Sequence, residues 1–156
     1  MKTADDLMKG KPKGLISVSP ESTVQEALRI MVERNIGAIL VEKDGEILGI
    51  WSERDFMRNS LQAGFDITAA RVGDYMTTAL HSAPRDTPLI KLQEMFLGLF
   101  IRHVLIEENG KVTGVLSIGD VLRAILLEKD EQLRELNTMA SWEYYENWKW
   151  NGGTEP

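Results

Sequence analysis

With 156 residues, 43% of them hydrophobic and 27% charged, the chain has a globular composition, enough for one ordinary domain or two small ones. It has no cysteine, which excludes disulfides and thiolate metal sites, and only two histidines, His81 and His103, in different elements, which makes zinc a poor fit. The net charge of −6 argues against nucleic acid, which demands a basic face, but a small anionic ligand needs only a local cationic cluster.

The N-terminus turns acidic at once at Asp5-Asp6, so no signal peptide is expected. No apolar run approaches the roughly 20 residues of a membrane span. These features predict a soluble, cytoplasmic protein without a membrane partner.

Asp6-Leu7-Met8 opens the chain, followed by a basic, turn-rich stretch from Lys9 to Gly14 and a short apolar strand, Leu15-Ile16-Ser17-Val18. Ser22-Thr23 caps a helix whose Val24, Ala27, Leu28, Met31 and Val32 share one face. Asn35-Ile36-Gly37 ends that helix. Ala38 to Val41 reads as a buried strand, Asp44-Gly45 as a hairpin turn, and Glu46 to Trp51 as the return strand. A helix opened by Ser52 runs to about Leu61. Residues 65–73 link to a second pass through the same order.

In that pass Asp74-Tyr75-Met76 answers Asp6-Leu7-Met8. A helix follows Pro88 through Leu92, Met95, Phe96 and Leu99. His103 to Ile106 is the buried strand, Asn109-Gly110 the turn, and Lys111 to Leu116 the return strand. Ser117 opens the last helix, which should continue past the domain body into Leu133 and Leu136. A tail bearing Trp142, Tyr144, Tyr145, Trp148 and Trp150 follows, expected to dock on a partner subunit, the alternatives being packing back on its own domain or a lid over a ligand cleft.

The best-kept repeat is the strand-to-helix junction. Gly49, Ser52 and Asp55 recur 65 residues later as Gly114, Ser117 and Asp120. The glycine is expected to end a turn, the serine to cap a helix, and the aspartate to sit in its first turn. Such a helix mouth can hold an anion. Ser-x-x-Asp is also close to a plain capping box, but duplication in register points to two equivalent clefts.

These residues resemble a family. The paired Asp-x-Met openings, the Ser19-Pro20-Glu21-Ser22-Thr23-Val24 run, Ile101-Arg102-His103-Val104-Leu105-Ile106 and both junctions are similar to a tandem pair of CBS domains, a Bateman module, over residues 4–127. The resemblance implies an α/β fold of two half-domains, residues 4–64 and 74–127. Each has a three-stranded sheet with helices, and a pseudo-two-fold axis relates them. Residues 65–73 are then the linker and 128–156 a helical tail. It also implies homodimers and regulation of an unidentified partner protein. The expected ligand is AMP, ADP, ATP or S-adenosylmethionine, bound between the halves, with no catalytic residue, no metal and no required cofactor.

Carried over residue by residue, the resemblance gives Asp55 and Asp120 the ribose hydroxyls and Ser52 and Ser117 phosphate or ribose contacts. Ile16, Ser17 and Val18 in one half, and Thr78, Ala79 and Leu80 in the other, look like apolar slots for adenine, although Ile16 and Val18 also read as core strand residues. Arg102 and His103 answer Gly37-Ala38, so the second half alone supplies cations at this place, expected to reach the aspartate of the other half. The cleft of Asp55 is then the phosphate-bearing one, and that of Asp120, lacking those cations, is expected to favour adenosine without phosphate or to stay empty. Trp51 departs from the family's small aliphatic residue and is expected to narrow the first cleft or pack under the tail. The competing function is a structural dimerisation module with empty clefts. An enzyme is not expected, since no nucleophile–base set or paired-carboxylate cleft is indicated.

Overall fold

The computed structural model describes residues 2–11 and 14–136, so the aromatic tail lies outside the described residues. In the first half, α1 (Ala4–Lys9) is followed by β1 (Ser17–Val18), α2 (Val24–Arg34), β2 (Ala38–Lys43), β3 (Glu46–Ser52) and α3 (Glu53–Asn59). After a 3-10 turn at Val72–Asp74 come β4 (Ser82–Pro84), α4 (Leu89–Leu99), β5 (His103–Glu108), β6 (Lys111–Ser117) and α5 (Ile118–Leu136). Each half holds a three-stranded sheet, β1-β2-β3 and β4-β5-β6, with the first pair parallel and the hairpin antiparallel. This is the duplicated α/β plan that the sequence predicts. No described helix is long and apolar enough to cross a membrane.

The local chemistry explains the elements. Thr23 and Glu26 exchange the two bonds of a capping box at the start of α2, 3.2 and 3.1 Å. Both hairpins turn on two left-handed residues, Asp44-Gly45 at φ 53° and 80° and Asn109-Gly110 at 52° and 76°. That geometry matches the twist of the flanking strands and favours Asn, Asp and Gly. Val24, Ala27 and Met31 of α2 are buried, whereas Val32 is 79% exposed. At 100° per residue Val32 stands 80° round from Val24, on the rim of the apolar stripe. The first strand is shorter than predicted, because only Ser17 and Val18 pair with β2.

Two helix-side cores form, and each borrows from the other pass of the repeat. The second core gathers Leu92, Phe96, Val104, Ile106, Leu116 and Val121, with Ala4, Leu7 and Met8 of α1. The first gathers Val24, Met31, Ile39, Val41 and Trp51, with Val72, Tyr75 and Met76. The backbone of α1 is tied to the second half as well, Ala4 N–H to Thr87 O at 2.8 Å and Asp5 N–H to Arg85 O at 2.8 Å. Residues 65–73 are more than a linker: Phe65, Ile67 and Ala70 pack on the first core. Leu40 and Leu105 are buried but belong to neither core. Alternation along β2 and β5 puts them on the opposite sheet faces.

The repeated glycines do not end turns. Gly49 and Gly114 lie buried inside β3 and β6. Thr77 pairs with Ile50 through two backbone bonds of 2.8 and 2.9 Å, covering the free edge of β3. A Cβ on Gly49 would come within 2.7 Å of Met76 Sδ and 2.8 Å of Thr77 O. Met8 meets Gly114 in the equivalent way. Gly49→Ala is therefore expected to destabilise by about 1–3 kcal/mol, since the backbone carbonyl cannot swing aside. A urea midpoint equal to the wild type's would refute the close-approach account.

Candidate ligand cleft

The site grows from the β3–α3 junction. Ser52 ends β3 in extended conformation, and its Oγ accepts the Asp55 N–H at 3.3 Å. Asp55 Oδ2 in turn accepts the Ser52 N–H at 2.9 Å and the Ser52 hydroxyl at 3.0 Å. The capping box is thus complete, and it uses one carboxylate oxygen. Among the described residues the other, Oδ1, accepts only from the Thr77 hydroxyl, at 3.4 Å. Asp55 can hold its helix and still offer an acceptor outward.

What it faces is a cleft of about 220 Å³ between the halves. Ile50, Ser52, Arg54, Asp55 and Arg58 line it from β3 and α3, and Leu80, Arg102, His103 and Leu105 from the second half. Of the predicted residues, Ser52, Asp55, Leu80, Arg102 and His103 therefore stand on one surface. Thr78 does not line it, although its neighbours Thr77 and Ala79 do. Ile16 packs against the first core, and the Ser17 hydroxyl donates to Glu42 Oε2 at 2.9 Å. Ser117 and Asp120 lie at the second junction.

Trp51 does not narrow this cleft, and the tail, its alternative expected packing partner, lies outside the described residues. Alternation along β3 turns Ile50 and Ser52 to the cleft and Trp51 to the core, where it is fully buried. Its Nε1–H donates to Asn59 Oδ1 at 2.9 Å, and its ring meets Phe56 edge-on at 6.0 Å.

Sequence reasoning missed Arg54 and Arg58. Their i, i+4 spacing, with Asp55 beside the first, was the available signal. Neither they nor Arg102 forms an ion pair among the described residues. Three unneutralised guanidiniums around one carboxylate make this cleft cationic in a chain of net charge −6. Phe100 stands at the mouth, 92% exposed, holding a left-handed φ of 53° that an aromatic residue seldom adopts.

The second junction repeats the cap but meets a different partner. Ser117 N–H donates to Asp120 Oδ2 at 2.8 Å, and Asp120 N–H to Ser117 Oγ at 3.1 Å. Here a cation from the opening segment, not counted in the repeat comparison, meets the carboxylate: Lys11 Nζ bonds Asp120 Oδ2 at 2.7 Å and the Val115 carbonyl at 2.9 Å. Burial works to raise the Asp120 carboxyl, but the Lys11 and Ser117 bonds outweigh it and hold it below the usual carboxylate range.

His103 feels the charge of both carboxylates. Burial first, then the Lys11 charge, lowers its pKa, and the pulls of Asp120 and Asp55 only partly offset them. The folded chain therefore favours neutral His103. Its contribution to stability is present above the unfolded value near 6.5 and is lost as pH falls toward the lower folded value.

The CBS-domain family model matches residues 4–62 and 72–127. The chain belongs to the CBS-domain family. The mitochondrial CBS domain-containing protein CBSX3 of Arabidopsis thaliana is 33% identical over 144 residues, covering 86% of this CBS pair and 70% of the relative. A CBS-domain protein of Agrobacterium tumefaciens superposes at a TM-score of 0.74, with 32% identity, over 80% of this chain and 99% of the other. CBSX2, solved in complex with AMP, superposes at 0.66 with 27% identity, over 83% and 99%. The two matched segments coincide with the two sheets and their helices, which makes the chain a tandem CBS module.

Proposed function

We propose that this CBS pair is a regulatory module that senses an adenosine-containing nucleotide in the Asp55 cleft. The observation that carries the proposal is the outward Asp55 Oδ1, facing a cleft whose far wall supplies Arg102 and His103. A carboxylate oxygen suits the hydroxyls of a ribose, and the guanidiniums suit phosphate. The AMP held by CBSX2 supports the same class of ligand. The cleft is smaller than the roughly 300–1,000 Å³ of a pocket that encloses a drug-sized ligand. Part of the ligand must then remain at the mouth, where Arg54 and Arg58 are exposed. That favours AMP, ADP or ATP over S-adenosylmethionine, whose sulfonium would add a cation to cations.

The output passes through association rather than catalysis. Leu97, Phe100, Leu126 and Leu127 are 62%, 92%, 56% and 57% exposed on or beside α4 and α5. We assign this apolar surface to a homodimer, with the regulated protein as a further partner in the cytoplasm. The mitochondrial relative makes fractionation the test of compartment.

A thermal-shift series with AMP, ADP, ATP and S-adenosylmethionine tests the reading, because a ligand that binds only the folded state raises Tm. No shift at millimolar nucleotide would leave the structural dimerisation module as the function. A second measurement follows from His103. Phosphate favours the protonated imidazole, so binding should take up a proton. AMP affinity should rise about 3- to 10-fold as pH falls from 7.5 to 6.0, a rise that His103→Gln removes. An unchanged pH profile in that variant would take His103 out of the site.

A further inference from the structure

We infer that Lys11 is a built-in occupant of the second cleft, so that each chain binds one adenosine nucleotide, at Asp55, rather than two. This rests on the nucleotide-binding reading above and adds to it the inequality of the two sites.

The two carboxylates are capped alike but met differently. Asp55 Oδ1 has a hydroxyl at 3.4 Å and an open cleft beside it. Asp120 has an ammonium at 2.7 Å, anchored a second time by the Val115 carbonyl at 2.9 Å. Val115 is the counterpart of Ile50 on the repeated strand.

The register shows where the lysine comes from. Met8 crosses Gly114 as Met76 crosses Gly49, so the two opening segments are structural counterparts. Three residues beyond each methionine stand Lys11 and Ala79. Ala79 lines the first cleft and leaves its carboxylate open. Lys11 reaches its carboxylate and closes the bond. Counted from the paired methionines, the same position carries a methyl group in one half and a charged ammonium in the other.

A ribose must compete with that ammonium. Its hydroxyls are neutral donors, whereas Lys11 brings a full charge to Asp120. The pair is screened less than a surface ion pair, since the Lys11 and Asp120 side chains are only 35% and 22% exposed. The lysine is tethered, which gives it an effective concentration of about millimolar or more. A nucleotide that displaced it would also strand the ammonium beside Val115. At the first cleft no such competitor has to leave.

Isothermal titration of the full chain with AMP tests the inference. The wild type should bind one AMP per chain. Lys11→Met keeps the apolar stem and removes the charge, and should bind two. In the Asp55→Ala background the wild-type lysine should leave no site, and adding Lys11→Met should restore one. Two sites in the wild type, or one site in a folded Lys11→Met chain, overturn the inference and leave nucleotide binding intact. Should Lys11→Met fail to fold, the wild-type stoichiometry still decides. No binding by either chain would overturn the nucleotide reading itself, and the inference with it.

Discussion

Asp55→Ala should reduce AMP binding at least about 100-fold while the chain stays folded. Hydrogen bonds to a charged group are worth about 1.5–3 kcal/mol each, and a ribose diol can make two. The same substitution removes the Ser52–Asp55 box at the start of α3, a loss of about 1 kcal/mol, or roughly 2–4 °C in Tm. Affinity and stability are thus predicted to fall by very different amounts. Asp120→Ala supplies the contrast: it breaks the equivalent box and the Lys11 bond, so Tm should fall. AMP affinity at the first cleft should fall far less than in Asp55→Ala, since Asp120 does not line it and acts on it only through its charge on His103. Calorimetry and melting of both variants read this directly. Equal losses of affinity would mean that the clefts are equivalent after all.

The second large effect concerns stability alone. Trp51→Ala should destabilise by at least about 3–5 kcal/mol, the range for deleting a buried large aromatic. Trp51 is fully buried, its indole N–H satisfies Asn59, and Asn59 is itself 8% exposed. Truncation therefore opens a cavity, strands the Asn59 carbonyl and breaks the edge-on contact with Phe56. Against a total stability of about 5–15 kcal/mol, the variant should melt roughly 10 °C or more below the wild type. Trp51→Phe should lose less and bind AMP as the wild type does, because the side chain lies on the core side of β3. A change of ligand affinity in Trp51→Phe would put the indole back in the cleft.

The departure at Trp51 shows how close the sequence came. The alternation that turns Ile50 and Ser52 one way and Trp51 the other was readable from period two. What was not readable was which of the two sheet faces carries the cleft, since both are apolar here. Val32 was misplaced for a related reason: periodicity marks the centre of a helix stripe better than its rim. The junction carboxylates cap their helices, and the cap alone does not use up the Asp55 side chain. A carboxylate has two oxygens, and the cap engages Oδ2, leaving Asp55 Oδ1 to the cleft.

By itself, the sequence determined the duplication, the hairpins at Asp44-Gly45 and Asn109-Gly110, the capped helices and the two repeated aspartates. All of these rest on local backbone preference or on short periodicities. Only the tertiary structure decided that the opening segments pack across the repeat, with Met8 against Gly114 and Met76 against Gly49. It also decided that Lys11 reaches Asp120 from 109 residues away, whereas the sharing of a cleft by Arg102, His103 and Asp55 was legible only through the family resemblance. Those pairings join positions far apart in the chain. Local propensity carries no term for them, and they exist only once the two sheets have fixed where each strand end points.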